Sequence, residues 1–148
     1  MTTIALRDGI MVADGLSVAG DLVKSTTEKK IIRLNYRQSL VACCGRCSCI
    51  ERFLEALSNA GHDDKTLSKD LKVEEGFHAI EARQNGEVWI WEDGLNAYQQ
   101  NQEFHAIGTG FELAWGAMQM GATAEQAVIV AAKCNIYTGG EIQVETVA

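Results

Sequence analysis

A chain of 148 residues that is 47% hydrophobic and contains no proline is long enough to bury a full apolar core as one domain, residues 1–148. Its net charge of −7 disfavours nucleic acid and anionic membrane surfaces as partners, since either would need a basic patch. The start lacks a basic region followed by an apolar run, and no stretch approaches the ~18 apolar residues of a membrane span, so a cytoplasmic protein with its five cysteines reduced is expected.

Residues 3–14 read as a β-hairpin around Asp8-Gly9. A two-residue loop would set Thr3 opposite Asp14 and scatter the large side chains. A three-residue loop, Arg7 to Gly9, would pair Leu6 with Ile10, Ile4 with Val12 and Thr2 with Asp14. The second register is expected, because it gathers the branched residues on one face and ends that face with a hydroxyl beside a carboxylate.

The polar stretch from Gly15 to Thr27 leads to a strand at 29–34, in which Lys30 shares a face with Ile32 and Leu34. Asn35 to Gln38 turn the chain into a short apolar strand, Ser39 to Cys44, which Gly45 stops. From Arg46 to about Asn59, Ile50, Phe53, Leu54 and Leu57 recur at helical spacing, with Gly61 closing the helix. The charged segment His62 to Glu75 reads mostly as loop, with room for a short helix.

Phe77 to Ala82 and Val88 to Trp91 form a second hairpin across Asn85-Gly86, followed by strand near Ala97 and at Phe104 to Ile107. A Gly-Thr-Gly turn at 108–110 opens a helix over Phe111 to Met120. Thr123 and Gln126 make a capping box for a second helix to about Cys134. Its run from Ala127 to Ala132 is apolar all round, which predicts burial on more than one side, by sheet or by a neighbouring subunit. A turn at 137–140 leads to a last strand, Ile142 to Val147. This order predicts an α+β fold, antiparallel sheet with segregated helices.

Thr2 carries the chemistry. Removal of Met1 would leave a threonine with a free α-amine and a hydroxyl, and an α-amine titrating near ~7.7–8.0 can take the proton from the residue's own Oγ. On the first residues alone, Thr2 reads sooner as an ordinary β-branched residue opening a strand.

The stretches MTTIALRDG at 1–9, MVADG at 11–15, KKIIRL at 29–34, a glycine before a helix at 45, FHAIGTG at 104–110 and IYTGG at 136–140 together resemble the proteasome β-subunit family, in particular bacterial HslV-type peptidases. The resemblance runs through nearly the whole chain in order. It implies a four-layer α-β-β-α sandwich of two antiparallel sheets flanked by helices, the N-terminal nucleophile hydrolase fold. It implies a threonine-type endopeptidase acting on peptides or unfolded proteins inside a homo-oligomeric ring, with an ATPase unfoldase as a candidate partner.

Position by position, the resemblance makes Thr2 the nucleophile and its α-amine the general base, and matches Asp14 and Lys30 to the family's acid and lysine. A protonated lysine there would disfavour a second positive charge and keep the amine a free base. Lys29 is its nearest competitor. Gly45 matches the backbone N–H that stabilises the oxyanion, and Thr109 stands where bacterial relatives carry a serine. Asn135 replaces an aspartate of eukaryotic-type members, which removes one carboxylate from the support of the site. The turn Tyr137 to Gly140 corresponds to one whose carbonyls hold a monovalent or divalent cation in bacterial members; no other cofactor is implied.

Two other classes stay open. One is a ring or interaction subunit of the same fold without peptidase activity, suggested by Thr109 and Asn135. The other is a thiol redox or zinc protein centred on the CxxC of Cys44 and Cys47, within the cluster Cys43 to Cys49. A zinc site would want a second Cys or His pair, and Cys134, His62, His78 and His105 show no such pairing. The cysteines therefore read as small packing thiols and the histidines as incidental. Helices 111–120 and 123–134 carry more apolar surface than one sheet covers, which predicts subunit contacts there.

Overall fold

A computed structural model describes residues 2–60, 75–92 and 97–148. The expected loop after residue 61 and the role of Gly61 as helix terminator lie outside them, apart from Glu75.

Among the described residues three antiparallel sheets form. The first has the order β10-β1-β2-β11, with β1 Thr3–Arg7, β2 Ile10–Ala13, β10 Phe104–Gly108 and β11 Gln143–Thr146. The second runs β5-β6-β7-β8-β9, with β5 Ile31–Leu34, β6 Ser39–Cys44, β7 His78–Arg83, β8 Val88–Trp91 and β9 Tyr98–Gln100. A small hairpin, β3 Ser17–Ala19 with β4 Leu22–Ser25, projects Leu22 and Val23 into solvent. That hairpin lies within the polar stretch 15–27, where its one local signal is the Gly20-Asp21 turn between Ala19 and Leu22.

Among the described residues three α-helices complete the layers: α1 Cys47–Ala60, α2 Phe111–Gln119 and α3 Ala124–Cys134. Strand alternation divides the core between them. Leu40, Ala42 and Cys44 of β6 join Ile4, Leu6, Met11, Ile80 and Ile90 between the two large sheets. Val41 and Cys43, on the opposite face of β6, pack with Phe53, Leu57, Phe77 and Trp91 under α1. Ala5 and Val12 pack under α2 and α3 against Ala114, Met118, Ala127 and Val128. The result is the α-β-β-α sandwich. Thr123 caps α3 as expected, its side chain accepting from Gln126 N at 3.1 Å while Gln126 Oε1 accepts from Thr123 N at 3.0 Å.

The first hairpin corrects the expected register. Ile4 pairs with Ala13, Ala5 with Val12 and Leu6 with Met11, so the loop is the two-residue Asp8-Gly9, at φ 54° and 71°. Thr3, not Thr2, lies opposite Asp14, whose N–H donates to Thr3 O at 3.2 Å. The three-residue register would suit a hairpin with one buried face. Both faces are buried here: Ile4, Leu6, Met11 and Ala13 point to the sandwich interior, and Ala5 and Val12 to the helices. Nothing is scattered, and the two-residue turn matches the strand twist best.

Candidate active site

Thr2 sits at the start of β1, nearly buried, with its carbonyl accepting from Thr109 N at 2.8 Å and from Thr109 Oγ1 at 3.5 Å. Gly108 lies against it. A Cβ at Gly108, where φ is +101°, would come within 1.8 Å of Thr2 O, so only glycine lets β10 close on the start of β1. Gly110 is similarly confined, its Cβ position 2.2 Å from Thr3 Oγ1.

Asp14 is fully buried at the end of β2. Its Oδ1 accepts from Thr3 N at 3.0 Å and from Lys30 Nζ at 2.8 Å, and its Oδ2 from Gly139 N at 3.1 Å. Lys30 also donates to Leu16 O at 2.7 Å. A buried carboxylate is tolerable only with such partners, and here it has a cation and two backbone donors. Lys29 lines the same cleft as Thr2 but does not meet the carboxylate: it is largely exposed and reaches Glu141 at 3.8 Å. Lys30 is therefore the lysine that meets the carboxylate. It lies one residue ahead of β5, held there by Gln143 Oε1, which accepts from the N–H groups of Lys30 and Ile31 at 2.9 and 3.1 Å.

A second network reaches the same place from the C-terminal turn. Thr3 Oγ1 and Thr138 Oγ1 are 2.7 Å apart, Thr138 Oγ1 donates to Asn135 Oδ1 at 3.1 Å, and Asn135 Nδ2 donates to Thr109 O at 3.4 Å. Thr3 has no site role in the sequence analysis, and Thr138 and Gly139 enter it only within the turn whose carbonyls the resemblance assigns to a cation. The signal was present in the IYTGG stretch, but its meaning depends on contact with β1, more than a hundred residues away. Asn135 keeps the acceptor an aspartate would supply, taking Tyr137 N at 2.9 Å as well, and adds a donor toward Thr109. The carbonyl of Gly139 accepts from Gly15 N at 2.9 Å.

Gly45 ends β6 at φ +139°, a conformation that glycine alone adopts freely, with Phe77 packed 3.3 Å from where a Cβ would stand. It lines a cleft of about 320 Å³ together with Thr2, Lys30, Cys43, Cys47 and Ile50. Thr2, Asp14, Lys30, Gly45 and Thr109 thus converge on one region from five separate segments.

The cysteines fall on different faces. Cys43, Cys44 and Cys49 are buried and Cys47 is exposed. Burial pushes the Cys44 thiol up to about 11 and the Cys43 thiol higher still. Redox dithiols need the opposite, a depressed value that yields thiolate near neutrality. Among the described residues no group of three or more His, Cys, Asp or Glu could hold a metal ion. No described helix is long and apolar enough to cross a membrane.

No protein-family model matches the chain, and no curated protein matches it. Solved structures do. Eukaryotic HslV from Trypanosoma brucei is 18% identical with a TM-score of 0.76, the match covering 98% of each chain. BPH of Thiobacillus denitrificans in complex with epoxomicin is 20% identical with a TM-score of 0.74, covering 99% of this chain and 98% of that one. A further structure of the same BPH gives 0.67 at the same identity and coverage. These likenesses establish the fold: the chain has the HslV-type sandwich that its resemblance to proteasome β-subunits implied.

Proposed function

We propose that this chain is a peptidase subunit that uses Thr2 as an N-terminal nucleophile once Met1 is removed. The observation that carries this reading is the buried Lys30–Asp14 pair at 2.8 Å, anchored to Thr3 N beside a nearly buried Thr2 in an open cleft. An ammonium has three N–H donors, and two of those of Lys30 are used by Asp14 and Leu16. Among the described residues the third has no partner, and it can face the cleft that Lys30 shares with Thr2.

The reaction follows from these groups. The α-amine takes the Oγ proton of Thr2 as Oγ bonds to the substrate's carbonyl carbon, and the carbonyl oxygen becomes an oxyanion. The Gly45 N–H stabilises that charge, a contribution of ~3–4 kcal/mol for such a donor. The C–N bond breaks as the amine's extra proton passes to the leaving nitrogen. Water, deprotonated by the same amine, then attacks the Thr2 ester, releasing a carboxylic acid and restoring the hydroxyl. Lys30 keeps the amine unprotonated by charge repulsion, and Asp14 keeps Lys30 in place.

Such a site, if open to the cell, would cut unfolded chains indiscriminately. We place it inside a homo-oligomeric ring, to which Phe111 of α2 and Ile129 and Val130 of α3 offer exposed apolar side chains.

Intact-mass analysis after incubation with epoxomicin, the compound bound by the BPH neighbour, tests the chemistry. The expected species lacks Met1 and carries one adduct, which Thr2→Ala abolishes together with peptide hydrolysis. A chain that retains Met1, or a processed chain that neither takes the adduct nor cleaves any peptide, overturns the reading. The second of those results would leave a ring or interaction subunit of the same fold.

A further inference from the structure

Gly45 and Cys44 line not one cleft but two. The second, of about 380 Å³, lies on the Thr109 side and is within the size range of ligand pockets. Its lining joins an aromatic wall, Phe111 and Trp115, to His78, His105 and Glu92, which come from three different strands or their ends. His78 Nδ1 lies 4.0 Å from Glu92 Oε2, and the His105 ring meets Trp115 edge-on with centroids 5.2 Å apart. Among the described lining residues Glu92 is the one Asp, Glu, Lys or Arg. His105 Nδ1 is buried and has no hydrogen-bond partner among the described residues. Burial holds the imidazole below its usual range, with Glu92 opposing and His78 adding to that shift, so His105 is a neutral ring near pH 7.

We infer that this second cavity is a binding site for a basic side chain, arginine above lysine, of a substrate lying across Gly45. The assignment of the occupant to a substrate rests on the peptidase reading; the cation chemistry does not. Glu92 meets His78 and takes a hydrogen bond from Tyr98, but no lysine or arginine stands beside it among the described lining residues, and such a carboxylate favours a cation. The aromatic wall favours a flat, weakly hydrated one with an apolar stem. A guanidinium's planar fork can offer the Glu92 carboxylate two N–H groups at once, which an ammonium cannot match. Because both clefts share Cys44 and Gly45, a peptide passing over Gly45 places one residue against Thr2 and a residue on the other side of the scissile bond in this cavity.

Binding can be read without catalysis, by following the Trp115 indole resonance of isotope-labelled protein while acetyl-arginine amide or acetyl-norleucine amide is added. The arginine probe should act at concentrations at least about fivefold lower, the effect of a single charge-assisted contact, and Glu92→Gln should remove the difference. Equal responses to the two probes, or an arginine preference that survives Glu92→Gln, overturn the inference. Mapping cuts in a peptide mixture gives the second arm: arginine should be enriched at one position flanking the cut, and not in Glu92→Gln. Cleavage without that enrichment refutes the subsite and leaves the peptidase. Arginine binding with no cleavage of any peptide refutes the peptidase and leaves the cation site.

Discussion

Lys30 and Asp14 form the most constrained pair in the molecule's candidate site, with side chains 7% and 0% exposed. Removing the lysine would leave Asp14 buried with only backbone donors. Lys30→Met is expected to cost ~3–5 kcal/mol of stability, as for other broken buried pairs, and the double variant with Asp14→Asn should recover part of it. Under the proposed chemistry Lys30→Met also lowers kcat/KM by at least ~100-fold, the low end for groups that tune an acid-base step. Denaturant midpoints and peptide hydrolysis on the same preparations separate the two effects. A variant as active as the parent would remove Lys30 from the mechanism.

At the scale of elements, the site depends on how closely β10 can lie against the start of β1. Gly108→Ala should be among the most damaging small substitutions in the chain, because its Cβ would overlap Thr2 O and its φ of +101° disfavours any side chain. The expected outcome is loss of several kcal/mol, or loss of the soluble protein, measured by urea denaturation. Gly116→Ala is the matched control, since a Cβ there meets nothing within 4 Å in the middle of α2. That change should be neutral or slightly stabilising by helix propensity. Equal behaviour of the two variants would mean that the close approach of β10 and β1 is unimportant.

For the whole molecule, acid stability follows from a network remote from the site. Glu81 is fully buried, which pushes its carboxyl up. Arg37 at 2.7 Å, Ser39 at 2.8 Å and Arg83 at 2.8 Å outweigh that and hold it below its ordinary value of 4.5. A carboxylate depressed in the folded state stabilises above its unfolded value and loses that contribution as the pH falls through the folded one. Stability should therefore decline below about pH 4.5, and Glu81→Gln should be less stable at neutral pH but show a shallower acid decline. Urea titrations at pH 7 and pH 3 test both. Assembly is the other property at this scale. Light scattering behind size exclusion is expected to find a particle many times 16.1 kDa, and a stable monomer would contradict the chambered arrangement.

By itself the sequence determined most of the elements and their order, the β3-β4 hairpin excepted, because helical spacing in α1, the capping box of α3 and the Asn85-Gly86 turn are local signals that neighbours in the chain satisfy. It also pointed to the segments that bring Thr2, Asp14, Lys30, Gly45 and Thr109 together, through short motifs in a recognisable order. Tertiary structure alone decided the rest. The first hairpin took the two-residue turn because helices cover the face that Ala5 and Val12 present, a burial no local pattern reveals. Lys30 rather than Lys29 met Asp14 because Gln143, from the last strand, fixes the chain just ahead of β5. Sequence alone leaves the histidines incidental and gives no sign of Glu92, since His78, Glu92 and His105, from three separate segments of the chain, share a cavity only after two sheets and α2 have packed.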